Sequence, residues 1–414
     1  MSQIKFDKKN LINVLFFLVI PIFGFAYSFY NLFSNQNRKI AFFVISAFCS
    51  LFILKNPPIH DIYRYALRFD SINSIKDFGI YTNDYFFDFI VVLFKNLDIP
   101  FFLIPPLFVG LSIYLILNSI NNLLLKLNIS PSKSVLIIIF TLILANPITI
   151  SLGLRSHLAF SFFLYGIINF VIYKKKSYFI FLILAPLTHS ASILLVIAFF
   201  ATLLFKPKIL LTTAVSATLF TVSKSLLLVL ASTTFISTYF GTLTTYTEFD
   251  NLSDKSNNGM LYYYITNFIK ILVALAYIKF SIFQFSKIKT DIKENKIKYF
   301  LYYFTNNIII LSFATSMSEI AFGRYSSYAI FFMCILMIIY NKNKIINVFL
   351  TLFFIYTFTI GNIFINRNIL KTNDFEKIII IPPIINFTYS DEEYRKKLSN
   401  TDVNGYPISG PGSL

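Results

Sequence analysis

Apolar residues along this 414-residue chain run in long blocks rather than alternating with polar ones. The blocks 11–33, 40–54, 101–121, 134–150, 157–173, 209–230, 261–283, 300–317, 325–340 and 345–365 each predict a helix crossing a bilayer. A span needs about 20 predominantly apolar residues, and several of these sit near the short end of that range. One further stretch, Ser177–Phe205, is flanked by Lys174-Lys175-Lys176 and by Lys206-Pro207-Lys208. As a single helix it would measure roughly 43 Å, longer than a hydrocarbon core of about 30 Å. A break at Pro186–Thr188 divides it into two short arms, which predicts a re-entrant hairpin with both basic flanks on the cytoplasmic side. The fold class expected is therefore all-α and polytopic, with about ten full spans plus this hairpin.

Composition narrows the class further. Hydrophobic residues make up 56% of the chain and charged residues only 13%, with 51 Phe; the mean hydropathy is +0.69. A soluble domain carries about a quarter charged residues, so a soluble enzyme, a secreted disulfide scaffold and a nucleic-acid module are excluded. Cys49 and Cys334 both lie in apolar runs and read as small packed hydrophobes.

The net charge of +17 is largely a topology signal. With the hairpin in place, the cytoplasmic loops 34–39, 121–133, 174–176, 206–208, 279–298 and 341–344 hold 17 Lys and Arg. The opposite loops 55–100, 151–156, 223–260 and 317–324 hold 9 over far more residues. Lys5, Lys8 and Lys9 conflict with this arrangement, as does the basic Arg395-Lys396-Lys397 cluster. No cleavable signal pattern precedes the first apolar run, so that run is expected to be retained. Residues 1–365 are expected to form one membrane domain and 366–408 an extracytoplasmic tail; 409–414 (SGPGSL) read as a tag remnant. Within the 55–100 loop, Tyr85–Phe94 is too short to span and predicts an interfacial helix. The 231–260 loop reads as exposed, and Lys377–Phe387, broken by Pro382-Pro383, as surface-lying.

Polar residues that are costly near lipid gather on one expected face. His60, Asp61, Arg64, Tyr65 and Arg68 follow the second span, and Arg155 and His157 open the fifth. His189 sits at the hairpin tip, while Glu319, Arg324 and Tyr328 surround the turn before span 325–340. Guanidinium groups suit phosphate oxygens, which they bind bidentately. The plainer alternatives are snorkelling arginines and a loop clasp in which Arg64 and Arg68 pair with Asp61 or Asp70. Lys270, about mid-span, needs a cavity or a partner. Three scattered histidines without Cys and without an i, i+4 ligand pair carry no metal signature.

Several of these segments together resemble EpsG-like and Wzy-type polysaccharide polymerases. In Gly153–Val196 they comprise Arg155, Ala159, the basic turn Lys174–Lys176, Ala185 and His189-Ser190-Ala191-Ser192. Upstream, His60-Asp61-Ile62-Tyr63-Arg64-Tyr65 is similar to the family's first large outside loop, and downstream Gly323–Tyr328 to its late Arg-x-x-x-Tyr segment. Ser156 stands where the family often has Gln, and His60 where it usually has Gly.

The resemblance implies a bacterial inner-membrane glycosyltransferase with a GT-C-like architecture and a site facing the periplasm. Its substrates would be undecaprenyl-diphosphate-linked oligosaccharides, joined en bloc into O-antigen or a related surface polysaccharide. No cofactor is implied, and a chain-length regulator is a possible partner. Under this reading Arg64, Arg155, Arg324 and Lys270 bind diphosphate, and Asp61, then His189 and Glu319, supply acid–base catalysis. His60, Tyr65, His157 and Tyr328 contact the substrate. The competing readings are a lipid-linked oligosaccharide flippase, which an internal repeat would favour and none is evident here, and an enzyme using a polyprenyl-monophosphate sugar donor.

Overall fold

The computed structural model describes residues 8–34, 38–56, 58, 61–72, 77–78, 84–231, 257–285, 295–316, 319–341, 343–364, 375–386 and 390–400. These are predominantly helical, with no strand among the described residues. The chain divides into two compact units, Met1–Ile193 with Phe354–Leu414, and Leu194–Phe353. Among the described residues, five helices are long and apolar enough to cross a membrane: Phe101–Lys126, Leu154–Tyr173, Ile265–Phe285, Ala321–Tyr340 and Lys344–Ile363.

In the first unit, the expected span 11–33 is not one helix. It forms α1 (Lys8–Val19) and α2 (Pro21–Ser34), which fold back on each other. Pro21 starts the second helix where its missing N–H costs nothing. Gly24 lets the two backbones meet, since a Cβ there would lie 2.4 Å from the Phe17 Cα. Inside the pair, the Asn13 Nδ2 donates to the Ser28 hydroxyl at 3.0 Å. The hairpin brings Lys8 and Lys9 to the end of α2 that leads into α3 (Lys39–Leu54).

Two helices, α4 (Asp61–Ser71) and α5 (Tyr85–Asn96), occupy the segment after α3. A helix does form over the run expected to lie at the interface, as α5, and it is a packing element. It buries Phe87, Asp88, Val91 and Val92 while Tyr85, Phe89 and Leu93 stay exposed. The next helix, α6 (Ile104–Lys126), is the centre of the unit and is buried over most of its length. It meets α3 closely at Gly110, where a Cβ would sit 2.1 Å from the Ser50 Oγ.

The expected span 134–150 is also broken, into α7 (Pro131–Leu144) and α8 (Pro147–Leu152). Asn146 caps α8 by accepting the Ile148 N–H at 2.9 Å. After Gly153, α9 (Leu154–Tyr173) runs to Lys174, whose left-handed φ of 56° turns the chain into α10 (Phe179–Thr188), packed back along α9. The break expected at Pro186–Thr188 falls one residue later, at His189, which is extended (φ −153°, ψ 113°).

The second unit holds α11 (Ile193–Leu204), α12 (Ile209–Ala231), α13 (Asn257–Phe285), α14 (Asn295–Ala314), α15 (Glu319–Tyr340) and most of α16 (Lys344–Tyr356). The backbone between α11 and α12 is satisfied by side chains of α14. Asn306 donates to the Pro207 carbonyl at 2.8 Å, Asn307 to the Phe205 carbonyl at 3.1 Å, and the Tyr302 hydroxyl accepts the Ile209 N–H at 3.0 Å. Lys298 is buried between the rings of Phe285 and Tyr340, 4.9 and 4.7 Å from their centroids.

The tail returns to the first unit as α17 (Phe375–Ile380), α18 (Pro383–Asn386) and α19 (Asp391–Ser399). The Pro382-Pro383 break is where the pattern placed it. In α19, Tyr394 and Leu398 are buried, Arg395 donates to Asp70 at 3.1 Å, and the Lys397 ammonium donates to the Lys55 carbonyl at 2.9 Å. Most of the 231–260 loop lies outside the described residues.

Candidate functional site

The best-connected polar cluster of the first unit lies where α4, α5, α9 and the α10 break converge. Its centre is Asp84, the residue preceding α5, which is only 4% exposed. The carboxylate does not cap its own helix. Oδ2 instead receives the Arg155 Nη1 and faces the His189 Nδ1 at 3.4 Å, while Oδ1 accepts the Ser190 N–H at 2.9 Å. That N–H is available because the helix ends at His189 and the chain restarts as a short turn at Ser190.

Arg155 occupies the first turn of α9. A cation there opposes the helix dipole, so a buried carboxylate beside it is the compensation electrostatics requires. The Arg155 Nε donates to the Tyr65 hydroxyl at 2.6 Å, and the guanidinium lies 4.8 Å from the Tyr65 ring centroid. Tyr65 and Arg155 are 90 residues apart, so the contact ties the α4 segment to the start of α9.

The protonation preferences follow from this packing. Burial alone would raise the Asp84 carboxyl. The hydrogen bond from His189, the Arg155 charge, the charge His189 carries when protonated and the Ser190 N–H outweigh it, and the group is held below its ordinary 3.8. The Tyr65 hydroxyl is pushed well up, first by burial and then by the Asp61 and Asp84 charges, against the pull of Arg155.

The residues singled out in the sequence divide as follows. Tyr65, Arg155 and His189 are brought together. Asp61 opens α4 one turn before Tyr65, half-buried and ion-paired with Arg64, which is 69% exposed. Arg64 is therefore a rim residue. His157 is half-buried, with its ring over Gly153. His60 lies outside the described residues. The remaining four belong to the second unit. Arg324 is half-buried on α15 and Tyr328, one turn on, is buried; Glu319 is the first residue of that helix and Lys270 is half-buried in α13. The clasp expected for Arg64 and Arg68 is half right: Arg64 does take Asp61, but Arg68 pairs with Asp88, and Asp70 pairs with Arg395.

Asp84 itself was missed. A partial signal was available, because an Asp directly before an apolar helical run is a helix-start pattern, although that pattern predicts a cap and not the partners Asp84 takes.

A cavity of about 750 Å³ opens in the same unit, walled mainly by apolar side chains of α3 and α6, including Phe43, Leu51, Leu107 and Leu111, with Phe94 of α5 at its edge. Helix α5 connects the two features, with Asp84 at its start and Phe94 near its end.

No curated protein and no solved structure matches the chain. The EpsG family model matches residues 40–374, an interval that contains Asp61, Tyr65, Asp84, Arg155, His189 and Arg324. With most of its length matched and its apolar helices those of a membrane protein, the chain belongs to the EpsG family, which is related to Wzy-like polymerases.

Proposed function

We propose that this protein is a membrane glycosyltransferase that polymerises polyprenyl-diphosphate-linked oligosaccharide repeat units, with the Asp84 cluster at its active centre. The observation that carries the reading is the shared carboxylate: one buried Asp84 orients both a guanidinium and an imidazole from distant segments. Departure of a diphosphate develops negative charge, and a preplaced cation in a water-poor site stabilises it. Arg155 spends its Nε–H on Tyr65 and one Nη–H on Asp84, which leaves three of its five N–H groups for phosphate oxygens.

In the reaction, a sugar hydroxyl of the acceptor unit attacks the anomeric carbon of the donor chain. A C–O bond forms there and the anomeric C–O–phosphate bond breaks, which inverts the centre in one displacement. The leaving group is the polyprenyl diphosphate. His189 turns Nδ1 toward Asp84, so its Nε2 points away from the carboxylate and accepts the hydroxyl proton; Asp84 then stabilises the imidazolium. Asp61, at the more open edge, contacts the acceptor sugar together with Tyr65. The apolar cavity walled by α3 and α6 at the end of α5 receives part of a polyprenyl tail.

The hairpin of α1 and α2 supports a periplasmic site. It places Lys8 and Lys9 beside the α2–α3 turn with Arg38 and Lys39, so the N-terminal lysines join the cytoplasmic basic set instead of opposing it.

The test is reconstitution of the purified protein with lipid-linked repeat units. A polymer ladder that Arg155→Ala abolishes is the expected result. Movement of the units across the bilayer without a ladder would assign the protein to transport instead.

A further inference from the structure

Helix α4 is also tied to α5 by an ion pair. Arg68 pairs with Asp88, and their side chains are 14% and 0% exposed. The spacing is regular. On α4 the residues are Tyr65 and Arg68, one turn apart; Asp84 directly precedes α5 and Asp88 lies in its first turn. Two rungs thus join the helices, Tyr65–Arg155–Asp84 at the site and Arg68–Asp88 one turn behind it.

Stability alone does not account for a charge pair in this place. Desolvating two ions costs several kcal/mol each, and well-packed apolar residues of similar volume are often as good or better. The Tyr65 and Phe87 rings meet beside it, 4.9 Å between centroids, so this contact surface accepts apolar packing. What an ion pair adds over apolar packing is register, because two oily helices slide where a charge pair does not. A slide would matter here. Tyr65 holds the Arg155 Nε at 2.6 Å, so moving α4 by even half a turn, roughly 2.7 Å, removes that contact.

We propose that Arg68 and Asp88 are positioning residues that set the register of α4 on α5 and through it the placement of Arg155. This rests on the polymerase reading for its kinetic consequence, but the register itself is measurable without it.

Two variants separate register from stability. In Arg68→Met/Asp88→Leu the pair becomes apolar; in Arg68→Asp/Asp88→Arg it is reversed. Spin labels on Leu67→Cys and Leu93→Cys, both on exposed faces of α4 and α5, report the α4–α5 distance in detergent, with Cys49 and Cys334 buried. The expected result is a broadened or shifted distance distribution in the apolar variant, at unchanged thermal stability, and a restored one in the reversed variant. In the reconstituted assay, kcat of the apolar variant falls roughly ten- to a hundredfold, the range an ångström-scale misplacement produces, with KM little changed and partial recovery on reversal. A wild-type distance distribution in the apolar variant overturns the proposal whatever the activity. So does a wild-type kcat in that variant. If the wild-type protein makes no polymer, the function reading fails, and the distance measurement alone decides the register.

Discussion

Replacing Asp84 by Asn is the sharpest perturbation the site offers. The amide has nearly the carboxylate's shape, and its Oδ1 still accepts the Ser190 N–H that now lies at 2.9 Å. Two things change. Arg155, with its side chain 24% exposed, loses its buried counter-charge. Removing one partner of a buried pair costs about 3–5 kcal/mol when the other charge is stranded. Here the retained Ser190 bond and the partial exposure of Arg155 place the loss at or just below that range, about 2–3 kcal/mol. The second change concerns His189. An amide NH2 facing Nδ1 donates to it, which forces the proton onto Nε2 and leaves no acceptor for the sugar hydroxyl. The same tautomer inversion in a Ser-His-Asp triad lowers kcat by about 10⁴. The expected outcome is a protein that inserts and purifies with modestly lower thermal stability, while polymer formation falls by roughly 10³ or more. The assay is ladder formation from lipid-linked repeat units, with protein amount measured in the same membranes. A kcat within threefold of wild type, at normal protein level, would refute the assignment of Asp84 as the group that orients His189.

Other expectations follow from the same contacts. Arg155→Lys keeps the charge but cannot reach both Tyr65 and Asp84, so polymer formation should drop at least tenfold without loss of protein, as a ladder assay would show. Asp84 has a depressed folded-state pKa, so its stabilising share is complete above the unfolded value near 3.9 and is lost as pH falls through the lower folded value; thermal melts of wild type and Asp84→Asn should converge only in that acid range. Gly110→Leu drives a side chain into Ser50, where even a Cβ would lie at 2.1 Å, and should cost about 1–3 kcal/mol or more in thermal unfolding. Tyr394→Ala empties a buried site on α19 near Phe101 and Phe102 and should cost about 3 kcal/mol, whereas Arg395→Ala, whose pairs are exposed, should cost under about 1 kcal/mol in the same melts.

How much of this was legible in the residues depends on what each feature answers to. Spans such as 101–121 and 157–173 were visible because a run of apolar residues is a statement about solvent, and solvent acts on every residue independently. The breaks at Ile20–Pro21 and Ala145–Asn146 were not, although Pro21 and Pro147 stand at both. A proline inside a membrane helix is tolerated when neighbours satisfy the freed backbone, so composition alone does not decide between a kink and a reversal. What decides at Pro21 is tertiary: Gly24 admits Phe17, and Asn13 finds Ser28. The site divides along the same line. Arg155 and His189 stood out because charge and imidazole are conspicuous in apolar sequence. Asp84 did not, because it sits in a stretch where acids are ordinary; its place before an apolar run marks a helix start but names no partner, and Asp61, Asp70 and Asp88 lie in the same stretch. Only the fold sorts these four, giving Asp61 to Arg64, Asp70 to Arg395, Asp88 to Arg68 and Asp84 to Arg155 and His189. Those partners span separations from 3 to 325 residues. Chemistry at a site is therefore assigned by which carboxylate is buried against which cation, and Asp84 is set apart as the one shared between a guanidinium and an imidazole.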